Sequence, residues 1–115
     1  MMAVIRVGPL PEGALDAAAV FHADVLPRIR AELGQLDPSQ DGEGLVIVFP
    51  SAPHDHRAWR LAAIQDLARA ATPLRVNGIG GEDEAAITRS LAFLATAPGI
   101  TGQILTVDGK SGEND

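Results

Sequence analysis

The 115-residue chain has no cysteine, no tyrosine, one tryptophan and a single lysine, Lys110. Without cysteine there is no disulfide, no thiolate nucleophile and no thiolate metal site; the redox compartment stays open, though compatible with the cytosol. Aromatic residues make up 3% of the chain against 46% for all apolar residues, much of it Ala, so the core must rest on aliphatic side chains and close helix contacts. Cationic clusters are missing too. The nine Lys and Arg are scattered through a chain of net charge −6, which argues against nucleic acid or an anionic membrane as the main partner. No apolar run approaches the ~20 residues needed to span a bilayer. The start, Met1-Met2-Ala3-Val4-Ile5-Arg6, lacks the basic residues and long apolar stretch of a signal peptide, so a cytoplasmic protein is expected.

What is present reads as one α/β domain over residues 1–110 with a flexible polar tail over 111–115. Four apolar runs predict strands: Ala3–Val7, Leu45–Phe49, Leu74–Val76 with a possible extension to Ile79, and Gln103–Val107. Leu45-Val46-Ile47-Val48-Phe49 is continuously apolar, as a parallel strand covered on both faces should be. Three helical patterns lie between them. The first, about Ala14 to Leu33, sets Leu15, Ala19, His22, Leu26, Ile29 and Leu33 along one stripe, and Pro27 should kink or shorten it. The second, Arg57 to Ala71, aligns Leu61, Ile64, Leu67 and Ala71 and stops at Thr72-Pro73. The third, Glu82 to about Thr96, opens on three acidic residues suited to a helix N-terminus and ends at Pro98-Gly99. Strictly alternating strands and helices predict parallel pairing with right-handed connections, and Gly34 to Gly44 an exposed loop.

Three motifs carry a resemblance. Gly44 to Ser51 forms a strand ending in serine, Arg75-Val76-Asn77 is followed by Gly80-Gly81, and Ile100-Thr101-Gly102-Gln103-Ile104-Leu105-Thr106-Val107-Asp108 precedes Gly109-Lys110. In that order, around helices of the right kind, they resemble the second half of the short-chain dehydrogenase/reductase family over about Ala3 to Gly109. The resemblance implies a Rossmann-like sheet of about four parallel strands and three helices, half of a doubly wound fold, in a chain truncated to the family's C-terminal half. It sets Ser51 at the place of the catalytic serine and Asp16 at that of the helix asparagine of the proton relay.

The departures from the family pattern concern its chemistry. The family binds NAD or NADP through a glycine-rich turn that lets pyrophosphate approach a helix N-terminus, and no Gly-x-Gly-x-x-Gly occurs here. It uses a tyrosine acid with a lysine four residues on; here Arg57 and Leu61 fall on those places. Arg6-Val7-Gly8 stands where Asn-Ala-Gly is usual, Gly80 replaces the proline of a Pro-Gly turn, and only Gly81 to Glu84 remains of the substrate-covering loop. The expectation is a non-catalytic, oligomerising structural or regulatory subunit, a pseudoenzyme that holds no cofactor. The alternative is an oxidoreductase with NAD or NADP in a remodelled or intersubunit site.

Other candidates stand beside this reading. His54-Asp55-His56 offers two imidazoles and a carboxylate for a metal ion, against the alternative of a solvated loop leading into a helix. A Ser51–His56–Asp55 hydrolase triad would need an in-line geometry that adjacent Asp and His do not readily adopt. Ser51 alone also reads as a turn or cap residue, His22 as a satisfied core or interface histidine, and Trp59 as packing against a neighbouring element or a partner chain. Gly78, Gly80 and Gly81 read as a turn, because Glu82, Asp83 and Glu84 would repel an anion. An apolar first strand left at the sheet edge, and Ala-rich helices able to pack closely, predict association with a second copy or with a full-length reductase-like protein.

Overall fold

The computed structural model describes residues 2–40 and 43–107. Four strands, β1 (Met2–Arg6), β2 (Gly44–Phe49), β3 (Arg75–Gly80) and β4 (Ile104–Thr106), form one parallel sheet in the order β1-β2-β3-β4. The first connection is one rod made of α1 (Ala14–Val20), a π-helical segment (Phe21–Val25) and α2 (Leu26–Leu33); α3 (Arg57–Ala71) and α4 (Glu84–Ala95) supply the other two. This is the Rossmann-like α/β arrangement expected from the alternation. The loop positions Asp41 and Gly42, the Asp108-Gly109-Lys110 segment and the 111–115 tail lie outside the described residues.

β2 is buried along its whole length, as its unbroken apolar run requires. Its alternate residues feed two cores. Leu45, Ile47 and Phe49 join Ile5, Phe21, Ile29, Ile64 and Val76 beneath the first rod and α3. Val46 and Val48 join Ile79, Ile87 and Leu94 beneath α4 on the other face. The strands advance in one direction across the sheet while α4 lies opposite the earlier helices, so the last crossover has the opposite hand to the first two. This corrects the expectation of uniform handedness: β3–α4–β4 is the crossover that departs from the other two. The physical reason is coverage: had α4 joined the crowded face, Val46, Val48 and Ile79 would have faced water.

The first rod departs from its expected phase. The buried residues are Ala17, Phe21, Val25 and Ile29, whereas Leu15 is 85% exposed and Ala19 and His22 face solvent. Four-residue steps drift around an α-helix by about 40° each, and the wider π turn over Phe21–Val25 resets them. There the Leu26 N–H donates to the Phe21 carbonyl, an i to i−5 bond. Pro27 sits at the start of α2, where its missing N–H is absorbed by this change of winding. His22 is therefore a surface residue, its Nδ1 2.7 Å from the Ala18 carbonyl.

Candidate functional site

The Arg-Val-Asn motif builds the sheet's far end. Arg75, buried, donates from Nη1 to the carbonyls of Leu94 (2.9 Å) and Ala97 (2.8 Å), closing the C-terminus of α4. Asn77 has no exposed surface; its Nδ2 donates to the Ile100 carbonyl (2.9 Å) and its Oδ1 accepts from the Gln103 N–H (3.1 Å). With Val76 N–H donating to Thr101 Oγ1, these bonds hold the chain that returns from α4 to β4. At the other end of β3, Gly81 has φ 146°, which an L side chain rarely adopts, and this reversal frees the chain to cross to the opposite face.

The three acids after that turn each have a separate task. Glu82 Oε2 accepts from the Ser51 N–H (3.1 Å). Asp83 Oδ1 caps α4 by accepting from Ala85 and Ala86 N–H. Glu84 forms a two-pronged pair with Arg6 (2.9 and 3.0 Å) between exposed side chains. Such a pair contributes about 0–1 kcal/mol.

A cleft of about 300 Å³ opens at the carboxyl ends of β2, β3 and β4 against the start of α3. Parallel α/β sheets place ligands at this edge. Ser51, His54, Arg57 and Leu61 all line the cleft, and Gly80 and Thr106 close it from the strands. Asp16 lies exposed in the first turn of α1 and is not part of the lining, so the two remnant positions Ser51 and Asp16 are not brought together there.

His56 is turned away from any ligand-binding task. It is 3% exposed, with Nε2 2.7 Å from the Glu12 carbonyl and Nδ1 accepting from the Trp59 indole N–H at 3.2 Å. A carbonyl only accepts and an indole N–H only donates, so Nε2 carries the proton and the Nδ1 lone pair is taken. Neither nitrogen is left for a metal ion or for Ser51, and the His54/His56 and Ser51–His56–Asp55 arrangements lack their central group. Among the described residues no group of three or more His, Cys, Asp or Glu is placed to hold a metal. His54 remains on the exposed rim of the cleft.

Trp59 packs inside this chain. Its ring lies 5.3 Å from that of Phe21 and 5.9 Å, edge-on, from that of Phe49, joining α3 to the π segment and to β2.

The residue that sequence reasoning passed over is Arg60. It is 8% exposed, its guanidinium carbon lies 4.8 Å from the Phe49 ring centre and 5.7 Å from that of Trp59, and Nη1 donates to the Pro50 carbonyl at 2.8 Å. Its Nε is buried without a hydrogen-bond partner. Burial lowers its pKa to about 10. The sign follows directly: a cation whose folded-state pKa is depressed opposes folding while charged, and the opposition is relieved as pH rises through about 10. A signal was available, since Arg60 stands four residues before Ile64 and seven before Leu67, on the stripe that is buried. Leu61, assigned to that stripe, is 37% exposed instead.

A family model for short-chain dehydrogenase-like proteins, SDR-like, matches residues 5–107. The chain belongs to that family. No curated protein and no solved structure matches it. In this SDR-like chain Arg75 and Asn77 hold main-chain carbonyls and an amide at the sheet's far end. No helix among the described residues is long and apolar enough to cross a membrane.

Proposed function

We propose that this SDR-like chain is a non-catalytic subunit, acting in the cytoplasm by association with a second copy or with a full-length reductase-like protein. The observation that carries this reading is the edge of the sheet. Among the described residues β1 pairs with β2 alone, so its other edge offers main-chain donors and acceptors to an incoming strand, and Val4 beside it is 42% exposed. Leu15 and Leu61 add exposed apolar side chains on α1 and α3.

The cleft supports the same reading. The two positions that correspond to the family's acid and its lysine hold Arg57 and Leu61, so neither the phenol nor the amine of that pair stands there to move a proton at a carbonyl. The turn after β1, outside that lining, does not suit a nicotinamide dinucleotide either. The turn after β1 leads into α1 through Pro9, Pro11 and Glu12, with Asp16 in the first helical turn, and carboxylates at that helix start repel a pyrophosphate.

Light scattering on the purified protein, with a pull-down for partners, tests the proposal. A dimer or larger assembly, or a recovered reductase-like partner, is expected; a stable monomer with no partner would sink it. Calorimetric titration with NADPH and NADH is expected to give no heat at millimolar ligand, and a saturable heat would favour the oxidoreductase reading.

A further inference from the structure

From Arg60 and the cleft it lines, we infer a binding site for a small organic carboxylate, a monoanion with a compact apolar body. Three observations converge. Arg60 is a buried cation that no carboxylate among the described residues ion-pairs, since only the Pro50 carbonyl and two aromatic faces offset its charge. Burying a charge without an ion-pair partner is costly, and a ligand carboxylate would supply that partner. Its Nε lacks a partner while Nη1 is engaged with Pro50, so the guanidinium retains donor capacity of the forked kind that matches a carboxylate.

The cleft supplies the rest of the site. Among the described residues its lining contains no Asp or Glu, in a chain of net charge −6, and Arg57 adds a second positive charge at the exposed rim. Glu82, which is not among the lining residues, accepts the Ser51 N–H at Oε2. Ala52, Pro53, Leu61 and Ile104 give apolar walls, and a volume of about 300 Å³ is at the small end of ligand pockets. Arg60 is the one buried guanidinium of the described lining, Arg57 standing exposed at the rim, so a single negative charge is matched inside the cleft where a phosphate dianion would leave a buried excess.

The edge of β1 is no part of this site, since no β1 residue lines the cleft, and the carboxylate would be held by Arg60 rather than by Leu61, the one wall residue that also belongs to the exposed apolar surface of α3. Failure of the assembly proposal would leave it standing, and the reverse holds too.

Benzoate, with benzamide as its neutral isostere and phenyl phosphate as the dianion, provides the test. Trp59, the chain's only tryptophan, lies beside Arg60 and reports occupancy by fluorescence. Benzoate should bind saturably at low ionic strength and raise Tm with concentration. Arg60→Met should weaken it about tenfold or more, the loss of one charge-assisted hydrogen bond, without lowering Tm, because an uncompensated buried cation does not hold the fold. Gln103→Glu, which keeps Arg60 and puts a negative charge on the exposed cleft wall, should weaken benzoate by a similar factor. Absence of benzoate binding, equal binding of benzamide, tighter binding of phenyl phosphate, or full affinity in either variant would overturn the assignment. A marked fall in Tm for Arg60→Met would do so as well, by making Arg60 a structural residue.

Discussion

Asn77 shows how a motif legible in the sequence can hide its task. The order Arg75-Val76-Asn77 points to the family, yet the groups that Asn77 satisfies, Ile100 and Gln103, lie beyond the next helix and carry no side-chain signature. Replacing it with Ala strips partners from a part-buried carbonyl and N–H and empties a buried side-chain position, and should cost about 1–3 kcal/mol in urea unfolding. A change below 1 kcal/mol would mean that the return loop holds without it. His56 repeats the lesson: the tripeptide His54-Asp55-His56 suggests a ligand cluster, but a main-chain carbonyl and an indole occupy the second imidazole. Arg60 was hidden for the opposite reason, because on a helix one step of phase decides between the core and the rim.

The elements themselves were legible, since their apolar runs and punctuation are local. Thr72-Pro73 ends α3 at Ala71, and β2 is buried where the run is continuous. Helical phase was not legible in the first rod, because the π segment changes the angle per residue and so exchanges Leu15 and His22 for Ala17 and Phe21 on the core side. The hand of the last crossover was not legible either, as it answers to which sheet face needs covering. The exposed edge of β1 leads to a prediction at this scale. Val4→Lys places a solvated charge beside unpaired main chain, a device that blunts strand edges, so association should fall sharply while unfolding free energy moves by less than about 1 kcal/mol. Sedimentation of the variant at several concentrations checks it; undiminished assembly would place the contact elsewhere, with Leu15 and Leu61 next in line.

Across the whole molecule, charge opposes self-association. At pH 7 each chain carries −6, and the isoelectric point is about 4.9. Lowering the pH from 7 toward that value, or adding salt, removes like-charge repulsion and should shift a monomer–oligomer equilibrium toward the oligomer. Asp37 does not confound the experiment. Its carboxyl is held below the usual range by the Ser39 hydroxyl and N–H, so its contribution to stability is present above about pH 4 and is lost only as pH falls through the depressed folded-state value. A mass independent of pH and salt would show that assembly is not limited by electrostatics.

The order of the sheet, β1-β2-β3-β4, is also the order of synthesis. Each strand docks on the one before it after closing a loop that spans a single helical connection, which keeps the sequence separation of contacts short and favours rapid folding. Growth of this kind has a direction. The sheet extends on its β4 side, and among the described residues no later strand comes back to the outer rim of β1, so growth leaves that edge behind while the opposite one is built upon.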